Sequence, residues 1–145
     1  TGDFKKVDIH HTNEDIGIVL GQAFNKALGD KKSIKRFGFF SVPMEEVVAH
    51  VVIDISGRPF FKFRSGKQRE DPKSQEGYEL KDVEHLLEQF AKHLGMNLNI
   101  TVEPISIDLH TTLEPVFKAL GIALDQATQI DLRRKGVPST KGVID

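Results

Sequence analysis

The sequence "DIHHTNED" at residues 8–15 recurs one hundred positions later as "DLHTTLEP" at residues 108–115. Four positions agree between the two copies, which pairs Asp8, His10, Thr12 and Glu14 with Asp108, His110, Thr112 and Glu114. The second copy carries Thr111 where the first has a second histidine, His11. Because apolar residues at helical spacing follow both copies, the pattern predicts two equivalent helix starts in two related units.

Strands and helices alternate along the rest of the chain. Residues 12–28, 80–94 and 113–127 carry apolar side chains on one helical face and are predicted helices. The segments "RFGFFSVP", "VVAHVVIDIS", "PFFKFR" and "MNLNITV" are rich in β-branched, aromatic or other apolar residues and are predicted strands. A further short strand is expected over residues 4–9.

The order of these elements predicts an α/β fold of the α+β type, in which helices pack on a sheet. One complete repeat begins at residue 35 and is preceded by the last strand and helix of another. We therefore expect a single domain over residues 1–145. Within it, the first repeat ends in 1–34, the second repeat spans 35–134, and 135–145 form a tail.

Composition narrows the classes of function. The chain has 145 residues, 39% of them hydrophobic, a net charge of −1 and no cysteine. Without cysteine, disulfides, thiolate catalysis and cysteine-ligated zinc are excluded. The near-neutral charge disfavours nucleic acid and acidic membranes as partners, so an anionic ligand must be held by a few placed cations. No apolar stretch is long enough for a membrane span, and a cytoplasmic protein is the expectation.

The two helix starts predict metal ligands. Positions four apart share a helical face, so His10 and Glu14 point the same way, as do His110 and Glu114. Imidazole nitrogen combined with carboxylate oxygen suits Mn²⁺, Fe²⁺ or Zn²⁺. The alternative is a helix start whose polar residues serve only for capping.

Two arginines and the tail predict phosphate binding. Arg36 and Arg58 lie beside predicted strands, and arginine grips phosphate through two parallel hydrogen bonds, although a solvated surface arginine is the commoner case. In the tail, "VPSTKGV" sets hydroxyls beside a lysine, which favours phosphate binding if the tail folds back and a frayed terminus if it does not. The other histidines are interpreted as structural: His50 as a core residue, and His85 and His93 as surface or packing residues.

Five motifs together resemble imidazoleglycerol-phosphate dehydratase: "HHTNEDIGIVLGQA", "RFGFFSVPMEE", "DISGRPFF", "EPVFKAL" and "GVPSTKGV". They occur in the order found in that family, from about residue 3 to residue 143. The resemblance implies two fused α/β repeats, dehydration of imidazole glycerol phosphate to imidazole acetol phosphate in histidine biosynthesis, and a homo-oligomeric 24-subunit shell. It also implies two Mn²⁺ ions per site, with the substrate imidazole held as imidazolate between them.

The resemblance assigns roles to individual residues. The metal ligands it implies are His10, His11, Glu14, His110 and Glu114. Glu14 and Glu114 are also the implied catalytic carboxylates. The residues implied to hold the substrate phosphate are Arg36, Arg58, Lys118, Ser139 and Lys141.

Two departures from the family pattern bear on the metal. Thr111 replaces a histidine of the second copy, and Asn99 stands where a further histidine ligand is usual, so the second metal should be held more weakly. The family also has a segment upstream of residue 1 that completes the first repeat and carries a D-H-M ligand.

The alternative function is a non-catalytic relative that keeps the fold and the phosphate grip as an assembly or binding subunit.

Overall fold

The computed structural model describes residues 8–66 and 72–144. The elements along the chain are α1 (Ile9–Leu28), β1 (Phe37–Met44), β2 (Val47–Asp54), β3 (Phe60–Ser65), α2 (Leu80–Leu94), β4 (Asn97–Glu103) and α3 (Leu109–Thr128). The predicted α/β fold class is confirmed. Most of the strand expected over residues 4–9 lies outside the described residues, but its last position was wrong, because Ile9 opens α1.

Both repeated motifs begin a helix, a few residues earlier than the apolar pattern suggested. Asp8 caps α1 by accepting a hydrogen bond from the His11 backbone N–H at 3.1 Å. Asp108 caps α3 in the same way, accepting from the Thr111 backbone N–H at 2.7 Å. A carboxylate at this position satisfies a backbone donor that the helix cannot satisfy itself, so the aspartates set both starts.

A four-stranded sheet in the order β1-β2-β4-β3 carries the core. The first three strands pair antiparallel, whereas β3 pairs parallel to β4 and is joined to it through α2. Along β2, burial alternates: Val47, Ala49, Val51 and Ile53 are buried towards the helices, and His50 points to the other face. This alternation fixes the register, because a shift of one residue would expose the whole apolar set.

Helices α2 and α3 cover one face of the sheet, and α1 packs on α2. Close approach is possible because α1 presents glycines to α2. A Cβ added at Gly21 would lie 2.7 Å from the Cβ of His93 and 2.8 Å from the carbonyl oxygen of Phe90.

None of the helices within residues 8–66 and 72–144 is both long and apolar enough to cross a membrane.

The outward face of α1 is apolar and exposed. Val19 and Leu20 are 62% and 43% exposed, whereas their counterparts one hundred positions later, Ala119 and Leu120, are buried at 0% and 5%. Helix α3 packs on β1 and β2. The face that α3 buries against a sheet is therefore the face that α1 leaves open.

The sheet face away from the helices is mixed in polarity. His50 lies there and is exposed, with its Nδ1 2.7 Å from the Ser41 hydroxyl, so its interpretation as a core histidine was wrong. Asn99 shares this face, since it pairs with Val52, and its Oδ1 accepts a hydrogen bond from Arg64 at 3.1 Å. The error at His50 arose because its apolar neighbours in the sequence point to the opposite face.

Candidate metal and phosphate sites

The first helix start brings three titratable side chains together. The Nε2 of His10 lies 3.4 Å from Glu14 Oε1, one helical turn on. On the other side of the ring, His10 Nδ1 lies 2.7 Å from Nδ1 of His85, which comes from α2. Sequence reasoning missed this contact, because His85 is 75 positions away and reaches His10 only through the packing of α1 on α2.

His11 is oriented by the residue that caps its own helix. Its Nδ1 lies 2.8 Å from Asp8 Oδ1, and this hydrogen bond to the carboxylate raises the pKa of His11. The backbone N–H of His11, followed by its ring, lowers the pKa of Asp8 in turn. When Nδ1 carries the proton that bonds to Asp8, Nε2 keeps a lone pair that faces outward and can bind a metal.

The second helix start repeats part of this arrangement. His110 Nε2 lies 2.8 Å from Glu114 Oε2, and Lys118 Nζ lies 2.5 Å from the other carboxylate oxygen. The ammonium of Lys118 is the main reason that the pKa of Glu114 is lowered, with His110 adding to it. Glu114 is therefore an ionised carboxylate shared between two cationic or potentially cationic partners.

Thr111 keeps one of the two interactions that His11 can make in the first motif. Its hydroxyl donates to Asp108 Oδ2 at 2.7 Å, which is the bond that the His11 ring makes to Asp8 in the first copy. The inner hydrogen bond is thus kept, but a threonine has no second nitrogen to offer beyond it. The second copy contributes one imidazole where the first contributes two.

The donors fit a divalent cation in type but each helix start is incomplete. Across residues 8–66 and 72–144, no group of three or more His, Cys, Asp or Glu side chains is placed to hold a metal ion. Asn99, where the sequence resemblance expects another ligand, lies on the open face of the sheet and bonds to Arg64. A full coordination shell therefore needs ligands from outside these individual helix starts.

A polar pocket of about 160 Å³ lies at the end of the sheet nearest the tail. Its lining residues are Arg36, Ser56, Arg58, Ser139, Thr140, Lys141 and Val143. Four of the five residues predicted to hold phosphate thus meet at one point, although they are spread over a hundred positions. The fifth, Lys118, does not line the pocket and lies against Glu114.

The tail reaches this pocket because it is anchored to the chain before β1. Ser33 donates two hydrogen bonds to the tail: its backbone N–H donates to Gly136 O at 2.8 Å and its hydroxyl to Arg134 O at 2.9 Å. Beyond this, Arg36 donates to the Pro138 carbonyl at 2.8 Å. The tail therefore folds back, and the frayed-terminus alternative was wrong.

The cations of the pocket differ in whether they already have a carboxylate partner. Arg36 holds Asp54 through Nε at 2.6 Å and Nη2 at 3.0 Å, and this hydrogen bonding raises the pKa of Arg36. Within the described residues, neither the Arg58 guanidinium nor the Lys141 ammonium forms an ion pair. Arg58 and Lys141 are thus the cations available to an anionic ligand, while Arg36 is already bonded to Asp54 and to the Pro138 carbonyl of the tail.

Comparisons with known proteins all return the same family. The family model described as imidazoleglycerol-phosphate dehydratase matches residues 1–124. The chain is 51% identical over 140 residues to the imidazoleglycerol-phosphate dehydratase of Geobacillus sp. (strain WCH70), covering 96% of this chain and 69% of the relative. It is 49% identical over 139 residues to that of Bacillus subtilis (strain 168), covering 95% of this chain and 69% of the relative.

Two solved structures share the fold. The imidazoleglycerol-phosphate dehydratase of Staphylococcus aureus subsp. aureus N315 superposes with a TM-score of 0.75 and 32% identity, over 87% of this chain and 71% of that one. The enzyme of Pyrococcus furiosus in complex with (S)-C348 gives the same TM-score and identity, over 93% of this chain and 71% of that one. The chain therefore belongs to the imidazoleglycerol-phosphate dehydratase family of hydro-lyases.

Proposed function

We propose that this chain catalyses the metal-dependent dehydration of imidazole glycerol phosphate to imidazole acetol phosphate, in histidine biosynthesis in the cytoplasm. The observation that carries the proposal is the tail pocket, in which Arg58 and Lys141 meet without carboxylate partners among the described residues. Two free cations beside the Ser139 hydroxyl suit a phosphate dianion. The identity of the rest of the substrate and the type of reaction are inferred from family membership.

Side chains at the two helix starts would hold Mn²⁺. His10, His11 and Glu14 form one set of ligands and His110 with Glu114 the other, as the sequence resemblance suggested. When bound, the ions supply positive charge that stabilises negative charge developing on the substrate as water leaves. The two ligand sets have to be completed by other parts of the assembly, because neither start is a full site by itself.

The chain's own carboxylates carry the proton transfers in this proposal. Loss of water removes a proton from carbon and delivers one to the departing hydroxyl, so a group able to accept and return a proton is needed. Glu14 and Glu114 lie at the helix starts where the substrate imidazole would be held. Lys118 lowers the pKa of Glu114, so this carboxylate is ionised before any proton transfer, and the same shift makes it a weaker base than an ordinary glutamate.

A homo-oligomer is part of the same proposal. Lys118 lies outside the tail pocket of its own chain, so its expected contact with phosphate needs a neighbouring subunit. The exposed apolar face of α1, with Val19 and Leu20, also favours burial in an assembly. The 24-subunit shell of the family is the form we expect.

The test is turnover of imidazole glycerol phosphate with Mn²⁺ present and after its removal by chelation. Arg58→Ala should raise KM about ten- to hundredfold, because a hydrogen-bonded charge contact of roughly 1.5–3 kcal/mol is lost. Lys32→Ala is the matched control, since Lys32 is an exposed cation paired with Asp30 and should leave KM unchanged. Equal KM values for the two variants would contradict the phosphate assignment.

A non-catalytic relative is the second candidate, favoured by Thr111 and Asn99 in place of two expected imidazoles. Such a subunit would still bind inorganic phosphate through Arg58 and Lys141. It would show no turnover with Mn²⁺ at any concentration. Phosphate binding that depends on Arg58, without dehydration, is the result that would select it.

A further inference from the structure

The loop before α2 lies between the two helix starts. The backbone N–H of Lys73 donates a hydrogen bond to the Ile107 carbonyl, next to the residue that caps α3, at 3.0 Å. At the other end of the loop, the Tyr78 hydroxyl donates to Asn13 Oδ1, near the start of α1, at 3.0 Å. The loop is therefore anchored to both repeated motifs.

A tight turn fixes Tyr78 within this loop. The backbone groups of Gln75 and Tyr78 bond to each other in both directions, at 3.0 and 2.9 Å. The two residues between them, Glu76 and Gly77, have φ values of 53° and 82°. Positive φ at both central positions is the geometry of a two-residue hairpin turn. The turn therefore holds Tyr78 at a fixed place relative to Gln75.

The turn forms one wall of a pocket of about 460 Å³ over the second helix start. The lining of this pocket includes Gln75, Glu76 and Tyr78 from the turn, and His110, Glu114 and Phe117 from α3. Aromatic walls around a few polar groups are typical of sites that bind a small molecule. Tyr78 thus lines the second helix start with its side chain while its hydroxyl is bonded to the first.

The partner of the Tyr78 hydroxyl is a buried amide whose presence stability alone does not explain. Asn13 is only 5% exposed, and its Nδ2 has no hydrogen-bond partner among the described residues. A buried N–H group without a partner destabilises the folded state. One hundred positions later, the second motif has Leu113, which packs against the core. A leucine in place of Asn13 would avoid the unpaired amide but could not bind Tyr78.

The bond from Tyr78 to Asn13 is directional. Burial, followed by the nearby Asp82 carboxylate, raises the pKa of Tyr78. The hydroxyl therefore keeps its proton at neutral pH and donates it to Asn13 Oδ1. Because a hydrogen bond weakens steeply when it is bent, this bond restrains the orientation of the Tyr78 side chain as well as its distance from α1.

We propose that Tyr78 is a positioning residue of the second helix start and is held in place by Asn13 of the first. The bond between them keeps the turn at residues 75–78 in position as a wall of the pocket that contains His110 and Glu114. The width of this pocket therefore depends on a residue of the first motif. The inference rests on the proposed function only for the ligand, an imidazole-bearing phosphate ester whose fit the wall affects.

A double variant separates positioning from stability. Asn13→Leu combined with Tyr78→Phe replaces both polar partners by apolar groups of similar size, which leaves no buried donor or acceptor unpaired at this contact. Its urea midpoint should equal or exceed that of the unmodified protein. Tyr78→Phe alone leaves the Asn13 amide buried without a partner and should be less stable than the double variant. A double variant that unfolds more easily than Tyr78→Phe would overturn the proposal.

Hydrogen–deuterium exchange read by mass spectrometry measures the turn in the ligand-free protein. Since an apolar contact lacks the direction of a hydrogen bond, the amides of Lys73, Gln75 and Tyr78 should exchange faster in the double variant. The expected factor is about two- to tenfold, that of one neutral hydrogen bond. Ser41→Ala is the matched control, because it also removes a hydroxyl that contacts a side chain, His50 at 2.7 Å on the open face of the sheet. It should leave exchange in the turn unchanged, and unchanged exchange in the double variant would overturn the proposal.

Steady-state kinetics with imidazole glycerol phosphate connect the wall to the ligand. The double variant should raise KM about two- to tenfold and change kcat less, because the wall contacts the bound molecule but transfers no proton. A purely structural role for the Asn13–Tyr78 bond would leave KM unchanged in a variant that is fully folded, and that result would overturn the proposal. If the unmodified chain shows no turnover while exchange in the turn still depends on this bond, the proposed function fails and the positioning of the turn stands.

Discussion

The close packing of α1 on α2 can be tested by comparing glycines at equivalent positions of the two repeated motifs. Gly21 in α1 and Gly121 in α3 are one hundred positions apart, and both are inside a helix. A Cβ at Gly21 would lie 2.7–2.8 Å from atoms of His93 and Phe90, whereas a Cβ at Gly121 meets nothing within 4 Å. Unstrained carbon contacts are about 3.5–4.0 Å, so α1 and α2 must separate in the first case only.

The expected magnitudes follow from this difference. Gly121→Ala should stabilise by up to about 1 kcal/mol, the gain in helix propensity. Gly21→Ala has the same gain but also an overpacking cost of about 1–3 kcal/mol, so its net effect should be near zero to about 2 kcal/mol destabilising. The free energy of unfolding should therefore differ between the two variants by about 1–3 kcal/mol.

Urea denaturation at one fixed protein concentration measures this difference, because self-association otherwise shifts the apparent stability. The Gly21→Ala variant should also disturb the His10–His85 contact, since both depend on the same helix interface. Equal stabilisation by the two substitutions would refute the close α1–α2 packing.

Three further outcomes are expected. Arg36→Lys should expose the tail to trypsin and lower the free energy of unfolding by about 1–3 kcal/mol, because a lysine cannot replace the paired bonds to Asp54 or the bond to Pro138. Burial raises the pKa of Glu84, which means that ionisation destabilises the folded state. Unfolding curves should therefore show Glu84→Gln as the more stable form at pH 7, with the advantage vanishing below the unfolded pKa of about 4.3. Asp8→Asn should keep the cap of α1 but lower the pKa of His11 in an NMR titration, since the carboxylate that raises it becomes neutral.

Much of the fold was predictable because its signals are local. The apolar face of α2 was predicted over residues 80–94 and is observed as Leu80–Leu94. The strands were predicted from β-branched and aromatic runs, and the part of the chain that the structure describes contains four. The helix starts were placed too late because the apolar period begins after the cap, whereas the aspartate one residue before the helix sets the boundary.

Contacts between distant segments were harder to predict. The position of His85 against His10 depends on how two helices pack, and no spacing in the sequence encodes it. The orientation of His50 depends on which face of the sheet the helices cover. The convergence of Arg58, Ser139 and Lys141 was anticipated only through the family resemblance, since composition and spacing alone left both a frayed tail and solvated arginines open.

The ion pair between Arg36 and Asp54 could likewise not be predicted from the sequence. Asp54 is at the end of β2 and pairs with Phe37 at the start of β1, so its carboxylate reaches the neighbouring guanidinium across the sheet. A sequence motif indicates which cations are present but not which are already neutralised. That distinction between Arg36 and Arg58 needed the strand register.

The measurement that tests the metal assignment most directly is a calorimetric titration of the metal-free protein with Mn²⁺, repeated with His11→Ala and His110→Ala. The unmodified chain should show a tighter and a weaker class of site, because Thr111 keeps the bond to Asp108 but offers no ligand. His11→Ala should weaken the tighter class about tenfold or more, and His110→Ala should abolish the weaker one. Two equally tight classes, or Mn²⁺ binding that neither substitution alters, would contradict the assignment of these helix starts as unequal metal sites.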